Sequence, residues 1–260
     1  MTFIISAASR NAAFQVADTR VTRAVDGVIR DDFSVKTIVL HCKDAKLIMS
    51  FTGLASIRGN RTDKWISAKL STFNAWNKVF QEVMIYLRDE LTTERSKDKK
   101  LEQYALEVAV IGLGISPTGV RQPAVALITN CSEPETPRSN FRNVPNKPFE
   151  RYVLNPEARH IVGISGAIGG PKLALNGLRR KLQRQLQGLR EGEEPRSVLD
   201  RLVAMLRLHR QQDPGLARVI GEYCVGVAIK SDFTVVSGSY GPRGGKLLIP
   251  RIIRAPTAQL

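Results

Sequence analysis

The residue of greatest chemical interest in this chain is Thr2, which only Met1 precedes. A threonine at a free N-terminus carries its own base. Its α-amino group, with an unperturbed pKa of about 8, can take the hydroxyl proton as the oxygen attacks a carbonyl carbon. The requirement is a free amine on Thr2. A small second residue favours removal of the initiator Met, so no propeptide or self-cleavage step needs to be invoked. Other candidates for chemistry are fewer. Asp18 and Arg20, taken alone, read as an ordinary surface ion pair. The three cysteines, Cys42, Cys131 and Cys224, lie far apart with no Cys-x-x-Cys pair and no nearby His to complete a metal site. They are expected to be reduced and inert, and neither metal nor cofactor is expected.

Composition sets the frame in which such a nucleophile would sit. The chain has 260 residues, 43% of them hydrophobic, enough for one large domain with a substantial core. No run of eighteen apolar residues is present, nor a basic stretch followed by an apolar signal region. A soluble, cytoplasmic protein with no membrane partner is expected. The 39 Lys and Arg exceed the 24 Asp and Glu to give a net charge of +15, sufficient to attract nucleic acid or an acidic protein. The densest basic cluster, Arg179-Arg180-Lys181 with Arg184, has few aromatics among it to stack on bases. It reads as a solvated helix face, and nucleic acid is not the favoured partner.

The elements that must position Thr2 follow from periodicity. Phe3 to Ala8 and Ala12 to Ala17 are apolar runs split by Ser9-Arg10-Asn11, so the chain is predicted to open with a hairpin. A polar stretch from Thr19 to Ser34 precedes a second hairpin, Lys36 to His41 and Lys46 to Phe51, closed by Gly53. Trp65, Ile66, Leu70, Phe73, Trp76, Val79, Phe80, Val83, Met84 and Leu87 recur at helical spacing, giving one or two helices between Lys64 and Leu91. Thr92 to Lys100, rich in charge, reads as a loop. Glu107 to Ile115 and Val120 to Thr129 form a further hairpin turning at Ser116-Pro117-Thr118-Gly119. Asn130 to Lys147 reads as a surface excursion.

Ile161 to Ser165 is predicted as a short strand, and Gly169-Gly170-Pro171 opens a helix to about Leu186. A second helix follows Pro195 to about Arg210. Strands at Tyr223 to Ile229 and Thr234 to Ser237 precede a basic tail over residues 239–260. Strands and helices thus come in blocks, which argues against a doubly wound parallel sheet. They favour an α+β domain spanning residues 1–260, with two antiparallel sheets flanked by helices in a four-layer αββα sandwich.

Thr2, the segment VADTRVTR from Val16 to Arg23, Lys36, and FTGLA from Phe51 to Ala55 together resemble the proteasome β-subunit and HslV family of N-terminal-nucleophile hydrolases. In that family the catalytic Thr stands sixteen positions before the Asp of its Ala-Asp-x-Arg motif, the separation of Thr2 and Asp18. The resemblance implies that Asp18 orients a lysine ammonium, that Lys36 lowers the pKa of the Thr2 system, and that Arg20 organises the local charges. It also implies that the backbone at Thr22 binds extended substrate, that Phe51 lines the specificity pocket, and that the Gly53 N–H stabilises an oxyanion. Ser165, in Gly163-Ile164-Ser165-Gly166, matches a serine that supports the nucleophile. Many relatives carry two adjacent lysines, and a one-residue shift puts Thr37 in place of Lys36. Alternation favours Lys36, which would share a face with Ile38 and Leu40.

The family's Asp-x-x-Ser-Gly element has no counterpart: the chain reads Ala217-Arg218-Val219-Ile220-Gly221. Two functions are therefore expected. The first is a cytoplasmic threonine-type peptidase cleaving peptides or unfolded proteins, assembled as a homo-oligomeric ring or spiral and fed by an ATP-dependent unfoldase. The second is a catalytically impaired relative that serves as a structural or binding subunit, its basic surface engaging an acidic partner or nucleic acid.

Overall fold

The computed structural model describes residues 3–22, 28–130, 148–153, 160–166, 180, 184, 193–212, 220–242 and 247–256. The chain enters as the expected hairpin, β1 (Phe3–Ser9) and β2 (Ala12–Asp18), with Ile4 opposite Ala17 and Ala8 opposite Ala13. The Ser9 hydroxyl accepts the Asn11 and Ala12 N–H groups at 3.2 and 3.3 Å and so fastens the turn. Within the stretch expected to be only polar, a short ribbon forms from β3 (Val21–Thr22) and β4 (Ile29–Asp31). The second long hairpin is β5 (Thr37–His41) and β6 (Ala45–Gly53). A two-residue pair, β7 (Ser56–Ile57) and β8 (Asn60–Arg61), leads into the helices.

Helix α1 (Thr62–Thr72) is followed by a 3-10 turn at Ala75–Asn77, and then by α2 (Phe80–Arg95) and α3 (Lys99–Gln103). The segment from Thr92 to Lys100 is therefore not a loop. Its charges are compatible with a helix because Leu91 and Glu94 are buried while Arg58, Lys69 and Lys97 surround the Glu94 carboxylate. Asp44 caps α2, accepting the Phe80 N–H at 2.7 Å, and Asp98 caps α3 through Lys100 N–H at 2.9 Å. The remaining elements are β9 (Leu106–Ile115), β10 (Arg121–Thr129), β11 (Glu150–Val153), β12 (His160–Gly166), α4 (Pro195–Gln212), β13 (Cys224–Lys230), β14 (Val235–Tyr240) and β15 (Arg251–Ile253). The excursion at 131–147 lies outside the described residues, as does the helix predicted to follow Pro171, save for Arg180 and Arg184, both helical and exposed.

The strands assemble into two main sheets, one ordered β12-β1-β2-β13-β14 and the other β11-β10-β9-β6-β5-β15. Both expected sheets were to be antiparallel, but β15 joins β5 in parallel, so the second is mixed. The residues from 239 onward are thus more than a tail: Leu248 is buried between the sheets and Ile253 against the helices. Three apolar layers hold the α+β sandwich together. Ala8, Ala13, Val225 and Val227 of the first sheet meet Val39, Ile48 and Ile111 of the second. Phe3, Ile5, Phe14 and Val16 face Leu199, Leu202 and Leu206 of α4, while Ile38, Leu47, Met49 and Val108 face Ile66, Leu70, Met84 and Leu87 of α1 and α2. Because β1 and β2 bury both faces, their sequences are nearly continuous apolar runs rather than alternating ones. No described helix is long and apolar enough to cross a membrane.

Candidate active site

Asp18 ends β2 directly opposite the first described residue of β1, and it is completely buried. A buried carboxylate must have its oxygens satisfied, and here three backbone donors do so. The Phe3 N–H donates to Oδ1 at 2.6 Å, and the N–H groups of Arg20 and Gly221 donate to Oδ2 at 3.1 and 3.0 Å. Burial pushes the Asp18 carboxyl up, and the Lys36 charge and these N–H donors oppose that rise. The residue that follows Thr2 is thereby tied to the carboxylate predicted to serve it. Thr2 itself lies outside the described residues.

Lys36 is buried just ahead of β5, and its Nζ donates to the Arg20 carbonyl. Burial drives its pKa down, opposed by Asp18, Asp31 and Asp32. Lys36, not Thr37, is thus the residue brought to Asp18; the Thr37 hydroxyl instead pairs with that of Ser50 at 3.0 Å. Arg20 is also buried. Its guanidinium grips Asp32 with Nε to Oδ1 at 2.6 Å and a second nitrogen to Oδ2 at 3.2 Å. The Thr19 hydroxyl donates to the carbonyls of Asp32 and Tyr223, the latter at 3.1 Å. Gly221 must be a glycine for packing reasons, since a Cβ there would stand 2.9 Å from the Arg20 Cβ.

Gly53 terminates β6 with φ of +95°, and a Cβ on it would fall 2.0 Å from the Ala105 carbonyl oxygen, so only glycine fits. Ser165 lies on β12, paired with Ile4, and Gly166 stands opposite Phe3. The strand that carries Ser165 therefore runs alongside the start of β1. Thr22 pairs with Ile29 in the small ribbon. Phe51 is buried in the core beneath α1 and α2. Asp18, Arg20 and Lys36 come together in one buried cluster, whereas Gly53 and Phe51 belong to the other sheet.

Asp32 and Gly221 are members of the cluster that the sequence did not reveal. A visible signal existed for Asp32, an acidic pair Asp31-Asp32 within a segment preceding Lys36. Cys224 pairs with Asp18 across β2 and β13, and burial together with that carboxylate pushes its thiol up to about 12. Burial likewise carries Cys42 to about 12. Cys224 is buried and Cys42 half-buried, and the raised values disfavour the reactive thiolate in both; Cys131 lies outside the described residues. Among the described residues no group of three or more His, Cys, Asp and Glu is arranged to hold a metal ion.

No family model matches the chain, and no curated protein matches it. Solved structures do. A Gly-1 mutant of Anbu from Hyphomicrobium sp. strain MC1 has a TM-score of 0.55 and 12% identity, over 94% of this chain and 88% of its own. Anbu from the same strain has a TM-score of 0.53 and 12% identity, over 93% and 88%. Anbu from Yersinia bercovieri, described as an ancestral β-subunit, has a TM-score of 0.54 and 9% identity, over 93% and 88%. The assignment to the proteasome β-subunit and HslV family is corrected by these findings: the structural likeness is to Anbu proteins. At this identity it shows a proteasome-like fold and no more.

Proposed function

We propose that this protein is a threonine-type amide hydrolase acting on peptide bonds, with Thr2 as its nucleophile once Met1 is removed. The observation that carries this reading is the buried Asp18, which holds the Phe3 N–H at 2.6 Å beside the Lys36 and Arg20 charges. A carboxylate, an amine and a guanidinium are costly to bury together, and perturbed groups of this kind concentrate at functional sites. Through Asp18 they hold the N–H of Phe3, the residue that follows the proposed nucleophile. The near-complete coverage by Anbu structures supports the four-layer αββα arrangement of N-terminal-nucleophile hydrolases.

In this mechanism the Thr2 hydroxyl oxygen adds to the scissile carbonyl carbon while its proton passes to the Thr2 α-amine. Lys36, kept close by Asp18 and the Arg20 carbonyl, favours the neutral amine through its positive charge. The Gly53 N–H stabilises the oxyanion. Collapse breaks the C–N bond, and the leaving amine receives the proton. Water then adds to the ester, and its collapse returns the hydroxyl to Thr2. Thr22 pairs with the substrate backbone, and Ser165 supports Thr2. We further propose a homo-oligomer, supplied with unfolded chains by an ATP-dependent unfoldase.

The test is the intact mass of protein expressed without an N-terminal tag, before and after an epoxyketone or β-lactone that modifies N-terminal threonines. Loss of Met1 with one adduct, absent in Thr2→Ala, is expected. Retained Met1 with no adduct overturns the reading and leaves the catalytically impaired subunit in its place.

A further inference from the structure

We propose that Asp32 is a positioning residue for Lys36, acting through the Arg20 peptide and side chain; its role in catalysis rests on the hydrolase reading above. The Arg20 peptide bridges the charged pair. Its N–H binds Asp18 Oδ2 at 3.1 Å, and its carbonyl receives the Lys36 ammonium. Whatever orients this peptide orients both groups.

The Arg20 side chain has its grip on Asp32. Two contacts, at 2.6 and 3.2 Å, join the planar guanidinium to the planar carboxylate and fix its direction as well as its distance. The Arg20 side chain is only 9% exposed and that of Asp32 28%, so the pair is far less screened than a surface bridge. Asp32 is anchored in turn, because its carbonyl accepts the Thr19 hydroxyl while the Ser34 N–H donates to the Thr19 carbonyl at 3.1 Å. The segment that leads into Lys36 is thus fastened along Thr19 and Arg20. From the opposite side Gly221 packs against the Arg20 Cβ.

Three carboxylates face Lys36 among the described residues: Asp18 from β2, Asp31 from β4 and Asp32 just after it. Asp18 is occupied by backbone donors, and Asp31 accepts the Phe33 N–H at 2.8 Å. Asp32 alone of the three joins the Lys36 field to the Arg20 clamp. Without its charge, burial would push the Lys36 amine further toward the neutral form.

Two variants of the full chain separate placement from charge. Asp32→Asn keeps the shape and one acceptor but removes the charge, and Asp32→Ala removes the clamp. The first readout is the Lys36 titration followed by NMR of protein carrying carbon-13 lysine, the Lys36 signal assigned by its loss in Lys36→Met, between pH 7 and pH 11, which does not depend on activity. Asp32→Asn should lower the Lys36 midpoint and so raise the fraction of neutral amine at a given pH. The second is the pH profile of β-lactone adduct formation at Thr2. Its Lys36-dependent limb should move with that midpoint in Asp32→Asn, while Asp32→Ala should slow the reaction about tenfold or more. Circular dichroism establishes that each variant is folded; should Asp32→Ala fail, Asp32→Asn carries the test. A Lys36 midpoint in Asp32→Asn indistinguishable from wild type overturns the proposal. If wild-type protein forms no adduct, the hydrolase reading falls, and the Lys36 titration still decides the role of Asp32.

Discussion

Replacing Asp18 by Asn keeps the volume of the side chain while removing its charge and one of its two acceptor oxygens. In the gentler of the two amide orientations, the oxygen keeps the N–H groups of Arg20 and Gly221, and the amide nitrogen meets the Phe3 N–H, donor against donor. Hydrogen bonds to charged groups contribute about 1.5–3 kcal/mol and neutral ones about 1 kcal/mol. Losing the Phe3 bond and weakening two others therefore costs about 3–4 kcal/mol. Lys36 also loses its Asp18 partner in a buried setting, where breaking a pair costs about 3–5 kcal/mol. Asp31 and Asp32 offset part of this, as does relief of the desolvation that holds the Asp18 carboxyl up, and a total of about 2–4 kcal/mol is expected for Asp18→Asn. Urea unfolding of Asp18→Asn, Lys36→Met and the double variant measures it. The double variant no longer buries an ammonium stripped of the Asp18 charge, so it should be about 2 kcal/mol less destabilised than the sum of the singles. A loss below about 1 kcal/mol for Asp18→Asn, or singles that add within about 0.5 kcal/mol, would refute the electrostatic reasoning.

Gly53→Ala should cost about 3 kcal/mol or more, or prevent folding, since a Cβ at positive φ would drive into the Ala105 carbonyl; thermal melts check this. Leu199→Ala should lower stability by about 2–5 kcal/mol in urea, because the side chain is fully buried between α4 and the first sheet. Cys224, buried and shifted to about 12, should resist maleimide in native protein at pH 8, read by peptide mapping, and its prompt labelling would contradict that burial, while half-buried Cys42 should react more slowly than an unfolded thiol. Their raised pKa values also mean that the folded state binds more protons than the unfolded state between the ordinary 9.0 and about 12. Stability should accordingly fall as pH rises through that window, seen as a declining urea midpoint.

The two hairpins at the start of the chain were legible because their strands are nearly continuous apolar runs with turn residues between them. The grouping of Asp18, Arg20 and Lys36 was an expectation of the family resemblance, since their residue types alone read as an ordinary ion pair and a lone lysine. Where reading failed, the reason was tertiary. Thr92 to Lys100 looked like a loop because its charges were counted as solvated, yet Glu94 is buried beneath three cations. Arg251 to Ile253 lacks a strand pattern of its own and acquires one from β5, while the Arg251 guanidinium reaches buried Asp63 at 2.7 Å. Asp32 resembles any acidic turn residue until folding carries it to Arg20. Phe51, expected at a pocket wall, is 3% exposed within the helix-side core, a burial that its apolar character alone does not distinguish from a pocket.

The parallel return of β15 to β5 bears on how the protein is made. The outer edge of β5 has no described strand beside it other than β15, and β2 likewise waits for β13 to arrive from more than two hundred positions along the chain. During synthesis the first hairpin must therefore keep its β2 edge open until residues near 230 have been added, and the second its β5 edge until residues near 253. Such edges pair readily with other chains. The longer those edges stay uncovered, the more the yield of folded product is expected to depend on the pace of elongation.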